Sequence, residues 1–93
     1  MGTAVFRYQT KPDAADENLL LIEKVFAELA SAAPAGLTYA SFRLADGVTF
    51  VHVVDGEGLP ELAAFKDFQH ALAERLDGDV VREEATRIGS YSG

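Results

Sequence analysis

The segment Leu37–Asp55, LTYASFRLADGVTFVHVVD, constrains this chain more than any other, because an Asp46-Gly47 pair separates two runs of strand-forming residues. Such a pair predicts a β-hairpin closed by a two-residue type I′ turn, with φ > 0 at both central positions. The register follows at once. Ala45 opposes Val48, Arg43 opposes Phe50, Ser41 opposes His52 and Tyr39 opposes Val54, all on one surface, because side chains alternate along a strand. The other surface carries Ala40, Phe42, Leu44, Val51 and Val53. One face is hydrocarbon, and the other mixes apolar groups with an imidazole, a hydroxyl, a phenol and a guanidinium. The expectation is that helices cover the hydrocarbon face, which forms the core. The mixed face then becomes the wall of a pocket.

The remaining elements are legible from periodicity and punctuation. Thr3 to Thr10, TAVFRYQT, reads as a first strand ended by Lys11-Pro12, since proline cannot donate to a ladder. Asp13 stands where an N-cap belongs, and Leu19, Ile22, Phe26, Leu29 and Ala33 follow at helical spacing until Pro34. After the hairpin, Gly56, Gly58 and Pro60 mark a loop, and a second helix carries Leu62, Phe65, Phe68 or Gln69, Leu72 and Leu76 as far as Asp77-Gly78. Val80 to Tyr91 reads as a last strand, partly an edge or an intersubunit strand.

The order βαββαβ predicts a single α+β domain over residues 1–93, ferredoxin-like, with a four-stranded antiparallel sheet and two helices on one face. At 93 residues the chain buries only about 60–65% of its unfolded surface, so association is expected to complete its core. Both faces of the strand Val48–Val54 are largely apolar, which predicts a homodimer formed through the open sheet face.

Composition excludes several classes of function. A net charge of −7 opposes binding to phosphate backbones, so no nucleic-acid partner is expected. The apolar runs Leu19–Ile22 and Phe50–Val54 are too short to cross a bilayer, and the opening MGTAVFRYQTKP lacks the pattern of a signal peptide, which predicts a cytoplasmic protein without a membrane span. Without cysteine there is neither a disulfide nor a thiolate nucleophile. His52 and His70 have no ligand-like spacing, so no metal site is expected.

The first strand running into KPDAADENLLLIEKVF, the hairpin strand VTFVHVV and the helix LAAFKDFQHAL together resemble the dimeric α+β barrel superfamily, and within it the small proteins related to antibiotic biosynthesis monooxygenases. The resemblance covers nearly the whole chain. It implies a dimeric barrel fold and, in part of the family, cofactor-independent oxygenation of phenolic or quinol-like molecules. Other members degrade haem, isomerise substrates or have no known activity. A histidine such as His70 on the second helix would be the haem ligand in such relatives. The chain, however, has no tryptophan to distort a porphyrin, and Arg7 stands in the first-strand region where those relatives have asparagine. No cofactor is therefore expected.

Within that resemblance His52 is the candidate catalytic base, as imidazole titrates near neutrality and could generate an anion able to react with oxygen. Arg7 and Arg43 are candidate ligand-orienting groups, since a guanidinium offers a bidentate fork. Tyr39, Ser41 and Phe50 complete the expected ligand wall, facing a small aromatic molecule, with Tyr8 and Tyr91 as further phenols. The competing expectation is a non-catalytic homodimeric binding or assembly module. There His52 is a satisfied core histidine and the arginines pair with acidic residues such as Glu83 and Glu84 of a second copy. The discriminating quantity is a cavity of about 300 Å³ or more that reaches His52.

Overall fold

The hairpin register holds residue for residue: in a computed structural model describing residues 3–93, Tyr39 opposes Val54, Ser41 opposes His52 and Arg43 opposes Phe50. Met1 and Gly2, which open the segment read for targeting signals, lie outside the described residues. The turn closing the hairpin differs from the expected type. Gly47 alone takes the left-handed conformation, at φ 80°, and its N–H donates to the Leu44 carbonyl at 3.0 Å. The reason is the Asp46 side chain. Its carboxylate accepts the backbone N–H groups of Val48 at 3.0 Å and Thr49 at 2.9 Å, together with the Thr49 hydroxyl. Those bonds hold the carboxyl below the usual range, the Thr49 hydroxyl contributing most. An aspartate that bonds forward in this way settles the turn without needing positive φ itself.

The sheet comprises β1 (Thr3–Gln9), β2 (Thr38–Arg43), β3 (Thr49–Asp55) and β4 (Val81–Ala85), all pairs antiparallel, in the order β2-β3-β1-β4. The crossovers are α1 (Ala15–Ala32) and a broken second helix, α2 (Ala63–Gln69) and α3 (Leu72–Arg75). This is the ferredoxin-like arrangement that the element order predicts. Among the described residues no helix is long and apolar enough to cross a membrane.

Three boundaries differ from expectation for local reasons. A 3₁₀ turn, Pro12–Ala14, precedes α1, so Asp13 lies inside it and caps nothing. At its far end α1 stops as expected, with Ala33 in the left-handed conformation before Pro34. The second helix breaks at His70-Ala71, where Ala71 has φ 61°. The break lets Arg75 turn back and donate to the Phe68 carbonyl at 2.5 Å and the His70 carbonyl at 3.3 Å, satisfying groups at the C-terminus of α2. β4 is shorter than Val80–Tyr91: pairing with β1 ends at Thr3 opposite Ala85, and Ile88 and Tyr91 beyond it are exposed.

The helices cover the mixed face of the sheet, which reverses the expected assignment. Tyr39 stacks on Phe26 of α1 at 5.0 Å, and His52 meets the edge of Phe68 of α2 at 5.6 Å. The hydrocarbon face is the open one, with Phe42 54% exposed. Arg43 shares the helix-covered face without being buried there, because it sits at the strand end. It reaches out to the Gly47 carbonyl at 2.8 Å and to Asp16 at 3.2 Å. Ile22, Val25, Tyr8, Phe50, Leu62 and Phe68 form the core between helices and sheet. Each such side chain, once buried, contributes about 1.5–3 kcal/mol, so together they outweigh any exposed ion pair in this chain.

Candidate functional site

A continuous line of polar side chains, buried from Arg75 to His52 and half-buried at Tyr39 and Ser41, runs from α3 to β2. Arg75 comes first; its Nε–H donates to Asn18 Oδ1 at 3.1 Å, and Asn18 Nδ2–H donates to the Tyr8 hydroxyl at 3.0 Å. The Tyr8 hydroxyl lies 2.8 Å from His52 Nε2, and His52 Nδ1 lies 2.8 Å from the Tyr39 hydroxyl and 2.7 Å from Ser41 Oγ. Asn18 and Arg75 are fully or almost fully buried, and no buried side-chain donor or acceptor among the described residues lacks a partner. The 3.6-residue repeat of α1 puts Asn18 between Ala15 and Ile22 on its buried stripe.

Donor counting assigns the tautomer. The Tyr8 oxygen accepts from Asn18, so its own proton goes to Nε2, which must carry the lone pair. The neutral ring then holds its proton on Nδ1, shared between Ser41 and Tyr39. Burial pushes the His52 pKa down from 6.5 to about 4, so the ring is neutral at pH 7. It also raises both phenols, Tyr8 against the opposing bond from Asn18, and Tyr39 against that from Ser41. A histidine whose folded pKa is depressed binds fewer protons than its unfolded counterpart between about pH 6.5 and pH 4, so stability falls as pH drops through that window. From pH 7.5 to 4.5 the His52 contribution amounts to about 2–3 kcal/mol. In urea titrations at these two pH values His52→Gln is expected to lose that much less stability than the wild type.

Beside this line lies a cavity of about 440 Å³, between the sheet and α2. Tyr8, Tyr39 and His52 form its polar wall, while Phe6, Phe65 and Phe68 supply aromatic surface. The imidazole stacks between the two phenols, with ring centroids 5.4 Å from Tyr8 and 5.8 Å from Tyr39. The cavity is thus lined by residues of one chain, between the sheet and α2, rather than between two sheets as the face assignment implied.

The six residues expected from sequence separate into distinct places. His52 and Tyr39 line the cavity. Ser41 contacts His52 from behind that wall, and Phe50 is buried against Tyr8 at 5.8 Å. Arg43 stands over Phe50 at the hairpin end, paired with Asp16. Arg7, opposite Val51, lies exposed on the open face, away from the cavity. Asn18, Arg75 and Arg82 were not anticipated. A polar residue standing at a core position of the α1 stripe was the available signal for Asn18; Arg75 and Arg82 gave none.

No protein-family model matches the sequence, and no curated protein matches it. Solved structures do. The Rv0793 protein of Mycobacterium tuberculosis superposes with a TM-score of 0.75 at 16% identity, over 98% of each chain. A protein named antibiotic biosynthesis monooxygenase matches at 0.75 and 17% identity, over 96% of this chain and all of its own. A Nitrosomonas europaea protein assigned by name to the same group matches at 0.77 and 12% identity, over 94% of this chain and 89% of that one. At such identities the likeness speaks for the backbone alone. The chain therefore has the ferredoxin-like fold of these solved structures, two of which are named antibiotic biosynthesis monooxygenases.

Proposed function

We propose that the protein is a cofactor-independent monooxygenase that takes a small aromatic, quinol-like molecule into the cavity. The observation that carries this reading is the neutral His52, hydrogen-bonded at 2.8 Å to a phenol that itself lines an apolar cavity of about 440 Å³. A phenolic ligand against Tyr8 gives its proton to the Tyr8 oxygen as the Tyr8 proton passes to Nε2. The imidazolium so formed keeps its Nδ1–H on Ser41 and Tyr39, and stands beside the new anion. That pairing offsets the desolvation that holds the pKa down in the empty cavity. The ring carbon of the electron-rich anion adds O₂, and the peroxide anion takes back the proton held on Nε2, giving a hydroperoxide and the neutral imidazole. Loss of water then leaves a carbonyl, one oxygen atom in the quinone product and the other in water. The aromatic walls exclude bulk water and orient the ring.

The same reading includes a homodimer through the open sheet face, where Phe42, beside Val51, and Val81, beside Arg7, are each more than half exposed. Oxygen uptake with a panel of quinols and hydroxynaphthalenes tests the chemistry. With a turned-over substrate, His52→Gln is expected to lower kcat about a hundredfold or more, the usual contribution of a positioned base, while the fold is retained. Undiminished turnover in the variant would remove His52 from the mechanism.

A further inference from the structure

Resting on the reading of the cavity as an aromatic-ligand site, the geometry points to a ligand that carries a carboxylate, held at the cavity mouth by Arg82. Fifteen Asp and Glu residues against 8 Lys and Arg make acidic side chains the common charged groups of this chain. None of them lines the cavity. Arg82 is the single charged side chain among the lining residues, with Gln69 as the polar neighbour at the rim. A cavity wall whose one charged side chain is a cation favours an anionic ligand over a cationic one.

The placement of Arg82 supports the same assignment. On β4 it stands opposite Phe6, and its guanidinium carbon lies 5.7 Å from the Phe6 ring centre, so the ring limits its freedom. Its only charged contact among the described residues is Glu84 at 3.7 Å, between side chains 54% and 80% exposed. A pair so open to solvent contributes little and yields readily to a better-placed carboxylate. No hydrogen bond to another described residue uses its N–H groups. A planar fork with free donors matches a carboxylate bidentately. Deeper than Arg82, where Tyr8 and His52 are each 4% exposed, the cavity offers the polar surface of Tyr8, Tyr39 and His52. The ligand therefore has two polar ends, an aryl hydroxyl inward and an acid outward, joined by a flat apolar body.

Three probes separate this from the oxygenase reading: 6-hydroxy-2-naphthoate, its methyl ester and 2-naphthol, titrated into the intact protein and into Arg82→Gln. The wild type is expected to bind the acid about tenfold or more tighter than the ester, as a charge-assisted pair allows. That preference should shrink as salt is raised, because the mouth is open to solvent. In Arg82→Gln the preference should vanish while 2-naphthol binds within about twofold of wild type. Equal binding of acid and ester, or a preference that survives the substitution, would overturn the role of Arg82 and leave the aromatic site standing. Failure of all three compounds to bind would overturn the aromatic site itself, and this inference with it.

Discussion

Gly56→Ala is expected to destabilise the protein by about 3–5 kcal/mol, the sum of a strained backbone and a forced displacement. Gly56 follows the last residue of β3 at φ 104°, a conformation costly for any residue with a Cβ. A Cβ there would also stand 2.1 Å from the Gly36 carbonyl oxygen and 3.1 Å from Leu37 Cα. Those atoms are backbone, so no rotamer change relieves the overlap; the loop entering β2 must move away from β3. Gly58, two residues on, supplies the control. Its φ of 111° is similar but its Cβ would meet nothing within 4 Å, so Gly58→Ala carries the strain alone, about 1–2 kcal/mol. Thermal melts should place the Gly56 variant about 10 °C or more below the Gly58 variant. Coincident melts would mean that the Gly36 loop yields freely. Because Gly56 also lines the cavity, ligand affinity should fall with the same displacement.

These glycines mark the limit of what the sequence discloses. GEGLP is plainly a loop by composition, but the 2.1 Å approach depends on where Gly36 arrives from the other end of the hairpin. Register behaves in the opposite way. The alternation around Asp46-Gly47 depends only on neighbours, and it predicts every pair between β2 and β3. Which face lies beneath the helices is again a long-range matter, and there polarity misleads. Tyr39, Ser41 and His52 look too polar for a core until Tyr8, Asn18 and Arg75 arrive from three other elements and satisfy them. His52 could therefore be picked out by type and position, whereas its partners across α1 and α3 could not. The open hydrocarbon face is the one that the proposed homodimer would cover, leaving neither face of β3 to solvent.

The line of buried polar groups yields the second large effect. Asn18→Leu keeps the branched shape of the side chain, with bulkier methyl groups, but removes the acceptor of Arg75 Nε–H and the donor to Tyr8. Arg75 retains only the carbonyls of Phe68 and His70 and has no carboxylate within reach among the described residues. A charged donor left short in the interior costs more than a neutral one, and the variant is expected to lose about 3–4 kcal/mol, or 12 °C and upward in Tm for a domain of this size. Arg75→Met removes the charge together with its demand and should cost less, about 1–3 kcal/mol, mostly from the two carbonyls at the end of α2. The informative measurement is the double variant. If Asn18 serves Arg75, then Asn18→Leu with Arg75→Met is less destabilised than the sum of the singles by about 1 kcal/mol or more, because the stranded guanidinium is gone. Strict additivity would mean that Arg75 finds water or another acceptor when Asn18 is lost. The sign of the coupling also bears on the site. A guanidinium held through Asn18 polarises the Tyr8 hydroxyl toward His52, so the Asn18 variant should also weaken any proton transfer to Nε2 even where the cavity keeps its shape.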